Sequence, residues 1–118
     1  MLLSAGYVSV SDDDNYFQIA FDSQDPGDDD NAGTPYLLIQ RQFEDEDGGR
    51  CYIESHDDRF IGHFRLRLVE LKADRLAFTI ERVLNRDVEV TFAVGVARFE
   101  NLRRVVGIMF GQQETIPR

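Results

Sequence analysis

Between residues 64 and 94 apolar and polar residues alternate almost one for one. Phe64, Leu66 and Leu68 alternate with Arg65 and Arg67; Leu76, Phe78 and Ile80 alternate with Ala77, Thr79 and Glu81; Val88, Val90, Phe92 and Val94 alternate with Glu89, Thr91 and Ala93. Successive side chains of an extended chain point to opposite faces. The pattern therefore dictates antiparallel strands with one dry and one wet face. The connections KAD and LNR are short enough for hairpins. A first hairpin centred on Ala73 would set Arg65 across from Glu81, with Glu89 beside Glu81 on the third strand. The wet face would carry Arg65, Arg67, Thr79, Glu81, Glu89 and Thr91, a surface ladder contributing a few tenths of a kcal/mol per pair at most.

Upstream the same period recurs in shorter runs. Phe17, Ile19 and Phe21 share a face of NYFQIAF. In PYLLIQRQF, Leu37, Ile39 and Phe43 share a face that Arg41 interrupts, which suggests a strand buried on both sides along part of its length. RCYIESH places Cys51 and Ile53 on one side and Arg50, Tyr52, Glu54 and His56 on the other. After Gly95 the period lengthens to three or four: Val96, Phe99, Leu102, Val105, Val106, Met109 and Phe110 form one stripe. That predicts an amphipathic helix of about four turns, stopping at Gly111, with Arg98, Arg103 and Arg104 off the stripe.

A one-faced sheet followed by one apolar-striped helix predicts an α+β fold of two layers. A mostly antiparallel sheet of six to seven strands would have a single C-terminal amphipathic helix packed on its apolar face. With 118 residues the chain suits one domain, 1–118, large enough to bury a core without disulfides or a metal. The stretch at 22–34 is dense in Asp and Gly and has no apolar period, so it reads as an acidic mobile loop. The tail 112–118 reads as frayed.

Charge narrows the function. The net charge is −9, and it is uneven: residues 1–60 hold fifteen acids against three arginines, whereas residues 61–118 hold seven acids against ten bases. A nucleic-acid binder needs a positive footprint, so direct DNA or RNA binding is disfavoured, and anionic membranes are disfavoured for the same reason. A basic protein partner fits the field, because opposite fields speed encounter. Cys51 is the only cysteine, so no internal disulfide can form, which suits a reducing compartment. The start, MLLSAGYVSV, lacks the basic region and apolar length of a signal peptide, and no run approaches a membrane span. The expectation is a cytoplasmic protein.

The segment FEDEDGGRCYIESHDDRF, residues 43–60, concentrates the chemistry. A calcium loop with Gly48 at its sixth position would have Glu54 at its twelfth, but it would begin on Phe43, which has no ligand oxygen. Cys51, His56 and His63 fit no compact zinc spacing, and Cys51 faces away from His56 if 50–56 is a strand. The same opposition argues against a Cys51–His56 nucleophile and base. No glycine-rich phosphate loop, nucleophile elbow or metallohydrolase signature is present. The expectation is no catalytic residue, no metal and no cofactor. A divalent-metal binder using Asp45, Asp47, Glu54 and His56 is the lesser alternative. Partner binding remains: loop 22–34, the EDED turn and the HDDRF loop could form an acidic surface studded with Tyr36, Tyr52 and Phe60, an aromatic-in-charged-rim composition that interfaces use.

The order of segments resembles the immunity protein 10 family, small bacterial proteins encoded beside polymorphic toxins. The residues that carry it are Tyr36, Leu37, Leu38, Ile39, Gln40 and Arg41, then an acidic turn, then Tyr52, Ile53, Glu54, Asp57 and Asp58, then hairpins ending in VEVTF and the helix ARFENLRRVVGIMF. The resemblance spans residues 15–111. Where the family has Gln after Asp, this chain has Asp58. The resemblance implies a non-enzymatic antidote that binds and occludes a cognate toxin domain, and the charge favours a basic toxin, as nucleases tend to be. The expected contact residues are Asp28, Asp29, Asp30, Glu44, Asp45, Glu46, Asp47, His56, Asp57, Asp58 and Phe60. The chain would act as a monomer or weak homodimer. The alternative is a small acidic adaptor or regulatory domain for another basic protein. Gln40, Arg41, Tyr52 and Glu54 are open to either reading, as partner contacts or as a polar network within the sheet.

Overall fold

The structure is a computed structural model that describes residues 1–13, 16–25, 33–42 and 49–110. Among the described residues nine strands form: β1 Leu2–Ser4, β2 Tyr7–Asp13, β3 Tyr16–Asp22, β4 Tyr36–Gln42, β5 Cys51–Ser55, β6 Gly62–Phe64, β7 Leu66–Lys72, β8 Arg75–Ile80 and β9 Asp87–Thr91. A single α-helix, α1, follows at Val96–Met109, and a 3-10 turn at Asp58–Phe60 separates β5 from β6. The expected α+β composition, mostly antiparallel strands and a C-terminal helix, is what the chain adopts. The strands divide between two sheets, ordered β2-β3-β4-β5-β6 and β1-β9-β8-β7. Every pairing is antiparallel except β1 with β9, which is parallel.

The sheets are joined because two stretches of chain pass from one to the other with scarcely a break. Between β1 and β2, Ala5 N–H donates to Thr91 O in one sheet at 2.8 Å, and Gly6 N–H donates to Asp22 O in the other at 2.9 Å. Between β6 and β7 a single residue, Arg65, turns the corner, and its carbonyl accepts from Glu81 N–H at 2.9 Å. Strands that switch sheets at corners bring two inner faces together around one core. Gly62, just before the second corner, has φ +145°, and a Cβ there would sit 3.0 Å from the Phe64 ring, so only glycine fits.

The period-2 residues fill that core. Phe17, Ile19, Phe21, Leu37, Ile39, Cys51 and Ile53 are buried from the five-stranded sheet, and Leu66, Leu76, Phe78, Ile80, Val88 and Val90 from the other. Phe21 stacks on Phe92 with ring centres 5.8 Å apart. Leu102, Val105, Val106 and Met109 recur at helical spacing and are buried, while Phe110 packs on Phe78 at 5.6 Å. Val96, which the stripe included, is 81% exposed: it opens the first turn, before the helix meets the sheet. Each large apolar side chain so buried contributes about 1.5–3 kcal/mol.

Arginines fasten the helix. Arg41 on β4 points inward and donates through Nη1 to Met109 O at 2.6 Å, satisfying a carbonyl left open at the negative end of the helix. Arg98 donates to Val8 O at 2.7 Å, and Arg104 reaches the Asp12 carboxylate, so two cations bind the helix to the edge strand β2. Arg41 is thus the reason for the interrupted apolar face in PYLLIQRQF.

The hairpin between β7 and β8 turns at Ala73–Asp74, and Arg65 does lie across from Glu81. A bulge at Val69 then shifts the register. Glu89 pairs across from Ala77, not beside Glu81, and its carboxylate instead takes the Arg75 guanidinium, which also binds Glu70. The β8–β9 connection runs over residues 81–86, longer than LNR, with Asn85 in the left-handed region at φ 55°.

Replacing Phe78 by Ala should cost about 3–5 kcal/mol in urea unfolding, because both the ring and its contact with Phe110 are lost. Val96→Ala, at an exposed position, should stay within about 0.5 kcal/mol.

Candidate functional site

All four tyrosines of the chain are placed by strand alternation on the outer face of the five-stranded sheet. Tyr7, Tyr16, Tyr36 and Tyr52 occupy the parity opposite to the buried residues of β2, β3, β4 and β5. His63 on β6 lies opposite Tyr52 on the same face, and His56 follows β5 beside Tyr36. Every described phenylalanine, by contrast, is buried or half-buried. A phenol can face water because its hydroxyl is hydrated; a phenyl ring cannot do so as cheaply.

The outer face is bound together by side chains. Tyr36 O–H donates to Glu54 Oε2 at 2.7 Å, and Tyr52 O–H to Glu54 Oε1 at 3.1 Å. Gln40 Nε2 donates to Gln18 Oε1 at 2.8 Å, and Tyr16 O–H shares that acceptor at 3.2 Å. The Tyr52 and His63 rings lie 5.1 Å apart. Leu38 stands beside Glu54 on one side and Ala20 on the other. Burial, reinforced by the Glu54 hydrogen bond and by the Glu54 and Asp22 charges, pushes the Tyr36 phenol up to about 12. The bond to Glu54 raises Tyr52 as well, and burial raises Asp22. These phenols therefore stay protonated at neutral pH and act as hydrogen-bond donors, not as bases.

Gln40, Tyr52 and Glu54 belong to this solvent-facing network, whereas Arg41 belongs to the interior. The sequence reading had not included Tyr16, Gln18 or Tyr7. Their signal was present in the alternation, which puts each of them opposite a buried neighbour.

The expected contact residues fare differently. Asp28, Asp29, Asp30, Glu44, Asp45, Glu46 and Asp47 lie outside the described residues, as do most of loop 22–34 and the tail 112–118. Strand β4 starts from the loop that holds the first three and runs into the loop that holds the other four. The two loops therefore attach at opposite ends of the sheet, roughly 20 Å apart along seven residues. The HDDRF segment shares the first of these ends, since Tyr36 N and O lie 3.1 and 3.2 Å from His56 Nδ1.

Within HDDRF, His56 and Asp58 are exposed. Asp57 is occupied by Arg59, which donates Nε to Oδ1 at 3.0 Å and Nη2 to Oδ2 at 2.7 Å, while the Arg59 backbone N–H adds a third bond. That bonding holds the Asp57 carboxyl down at about 2. Phe60 is only 3% exposed, with the Arg82 guanidinium 5.3 Å from its ring centre, so it is core and not a surface anchor. Its apolar ring is worth more to the corner between the sheets than to water.

Cys51 is buried with Sγ 3.9 Å from Met109 O, on the face away from both histidines. Among the described residues no three His, Cys, Asp or Glu side chains come together as a metal site, and no helix is long and apolar enough to cross a membrane.

The raised Tyr36 pKa carries a sign. The protonated phenol is favoured in the folded state, so its contribution is complete below pH 10, the ordinary value, and is lost as pH rises towards about 12. Absorbance titration of the phenolates should show one tyrosine ionising near 12, and Glu54→Gln should bring that step down. An unchanged titration in the variant would show that Glu54 does not hold the phenol. Among known proteins, no family model matches this chain, and no curated protein matches it either.

Proposed function

We propose that this chain is a non-enzymatic antidote of the immunity-protein kind, which binds a basic toxin domain in the cytoplasm and occludes it. The observation that carries the reading is the solvent-facing sheet surface of four tyrosines. Tyrosines supply contact area at small entropic cost, since a phenol has few rotatable bonds. Glu54 holds the Tyr36 and Tyr52 hydroxyls, and Gln18, itself bonded by Gln40, holds that of Tyr16, so these rings are fixed before a partner arrives, which lowers the ordering cost of binding. In the chain, β4 stands between two acidic stretches, 28–30 before it and 44–47 after it. Interfaces with strong central anchors and a polar rim have this composition.

Occlusion needs no chemistry from this chain. The phenols are held protonated and the one thiol is buried against the helix end, so the surface offers recognition and not a nucleophile. Charge governs the encounter. The acidic half steers a cationic partner from a distance, and salt screens that attraction over about 10 Å at 0.1 M. The resemblance to immunity protein 10 supports the same reading through Tyr36–Arg41 and Tyr52–Glu54, which are β4 and the body of β5. An adaptor for another basic protein would use the same surface, and a neighbouring gene that encodes no toxin would favour it.

A pull-down with the product of the neighbouring gene tests the proposal. Capture is expected, and replacing Tyr16 and Tyr52 together by Ser should weaken it by about 30-fold or more, the usual weight of central tyrosine anchors. Charge reversal at Glu44–Asp47 should slow association and flatten its salt dependence. Capture unaffected by the tyrosine changes would contradict the assigned face, and on-rates unaffected by salt would contradict the steering.

A further inference from the structure

Five of the described acids have cations of their own: Asp57 has Arg59, Asp12 has Arg104, Glu70 and Glu89 share Arg75, and Glu100 has Arg103. Glu54 does not. Its two oxygens each accept one neutral phenol, Tyr36 and Tyr52, and among the described residues no lysine or arginine stands within ion-pair distance. A carboxylate oxygen can accept a second donor, and Glu54 is half-buried, so it keeps capacity for two more hydrogen bonds. Asp22 adds a second negative charge: it lies opposite Tyr36 on β3, and no described cation pairs with it either. The surroundings suit the rest of a long cationic side chain. Leu38 is Glu54's cross-strand neighbour, and the register that sets Ile53 opposite Gly62 brings Ile61, 42% exposed, to its other side.

We infer that Glu54, with Tyr36 and Tyr52, forms a seat for one arginine side chain of the partner. The inference rests on the docking face proposed above and names what enters it. A guanidinium suits the seat for three reasons. Its planar fork donates to both oxygens of a carboxylate. It stacks on a phenol ring, whose face is negative. It also gives up its hydration more readily than an ammonium does. The phenols contribute through their hydroxyls, which hold the carboxylate in place. The seat is therefore built before the cation arrives.

The test uses the whole 15N-labelled chain and a small probe, N-acetyl-arginine amide, with N-acetyl-citrulline amide as its uncharged counterpart. The arginine probe should shift the amide signals of Tyr36, Leu38, Tyr52 and Glu54 saturably, with a dissociation constant on the order of 10 mM. Citrulline should not. Glu54→Gln should weaken the arginine response at least about tenfold, and Glu100→Gln, on the helix surface, should leave it unchanged. If Glu54→Gln does not fold, Leu38→Lys provides a second block by placing an ammonium beside the carboxylate. Shifts that gather only at Asp12, Asp25 or Asp58, or a response that survives in both variants, would overturn the seat. Partner capture lost on tyrosine replacement together with a negative arginine titration would remove the seat and leave the docking face standing. A saturable, Glu54-dependent titration without capture of the neighbouring gene's product would keep the seat and remove the antidote.

Discussion

The separation of phenylalanine from tyrosine across one sheet is the constraint on which the rest depends. In β3, Phe17, Ile19 and Phe21 face inward and Tyr16, Gln18 and Asp22 outward; β4 and β5 repeat the division. A slip of one residue in β3 would bury a phenol and a carboxylate and put two phenyl rings in water; in β4 and β5 it would expose Leu37, Ile39 and Ile53 instead. The same alternation therefore fixes the register, fills the core and builds the outer surface. On the proposed reading, stability and recognition occupy opposite sides of the same strands.

The outer surface can be rigid only because the inner side is well closed. Ala5–Gly6 and Arg65 carry the chain from one sheet to the other, and the helix packs against β2 and β3 while Phe110 reaches Phe78 on the opposite sheet. Arg98 satisfies a carbonyl of β2, an edge strand that would otherwise be open to pairing with another chain. On the other sheet the bulge at Val69 and the charges of Arg67, Glu70 and Lys72 blunt the edge at β7. Two of the four edge strands, β2 and β7, thus carry local devices that discourage pairing with another chain.

Strands β3, β4, β5, β8, β9 and the helix were legible in the sequence because their apolar periods are local: period two from Phe17 to Val90, then three and four from Leu102 to Phe110; β6 and β7 read as one run through Phe64, Leu66 and Leu68. What was not legible depends on contacts distant in the chain. The parallel pairing of Leu2–Ser4 with Glu89–Thr91 joins residues over eighty positions apart, and three residues carry no usable period. Division into two sheets turns on corners at Ala5–Gly6 and Arg65 that resemble ordinary strand positions. The bulge at Val69 inserts a residue that alternation counting cannot see. The β8–β9 connection takes up residues 81–86 and not LNR alone, and this slides Glu89 opposite Ala77. Phe60 follows acids and looked like a surface aromatic, yet Arg82, twenty-two residues later, covers it. At the site, Tyr36, Tyr52 and Glu54 were visible as outward residues of their strands. Their convergence on one carboxylate needs the antiparallel register of β4 with β5, and sequence alone leaves that register free.

Tyrosine-selective NMR tests the central claim most directly. With 13C-labelled tyrosine rings and labelled Val and Leu methyls in the same sample, addition of the captured partner should move the Tyr16, Tyr36 and Tyr52 signals while the exposed Val69, Val83 and Leu84 methyls, outside the tyrosine face, stay in place. Movement of those methyls with the three tyrosine rings unchanged would contradict the account.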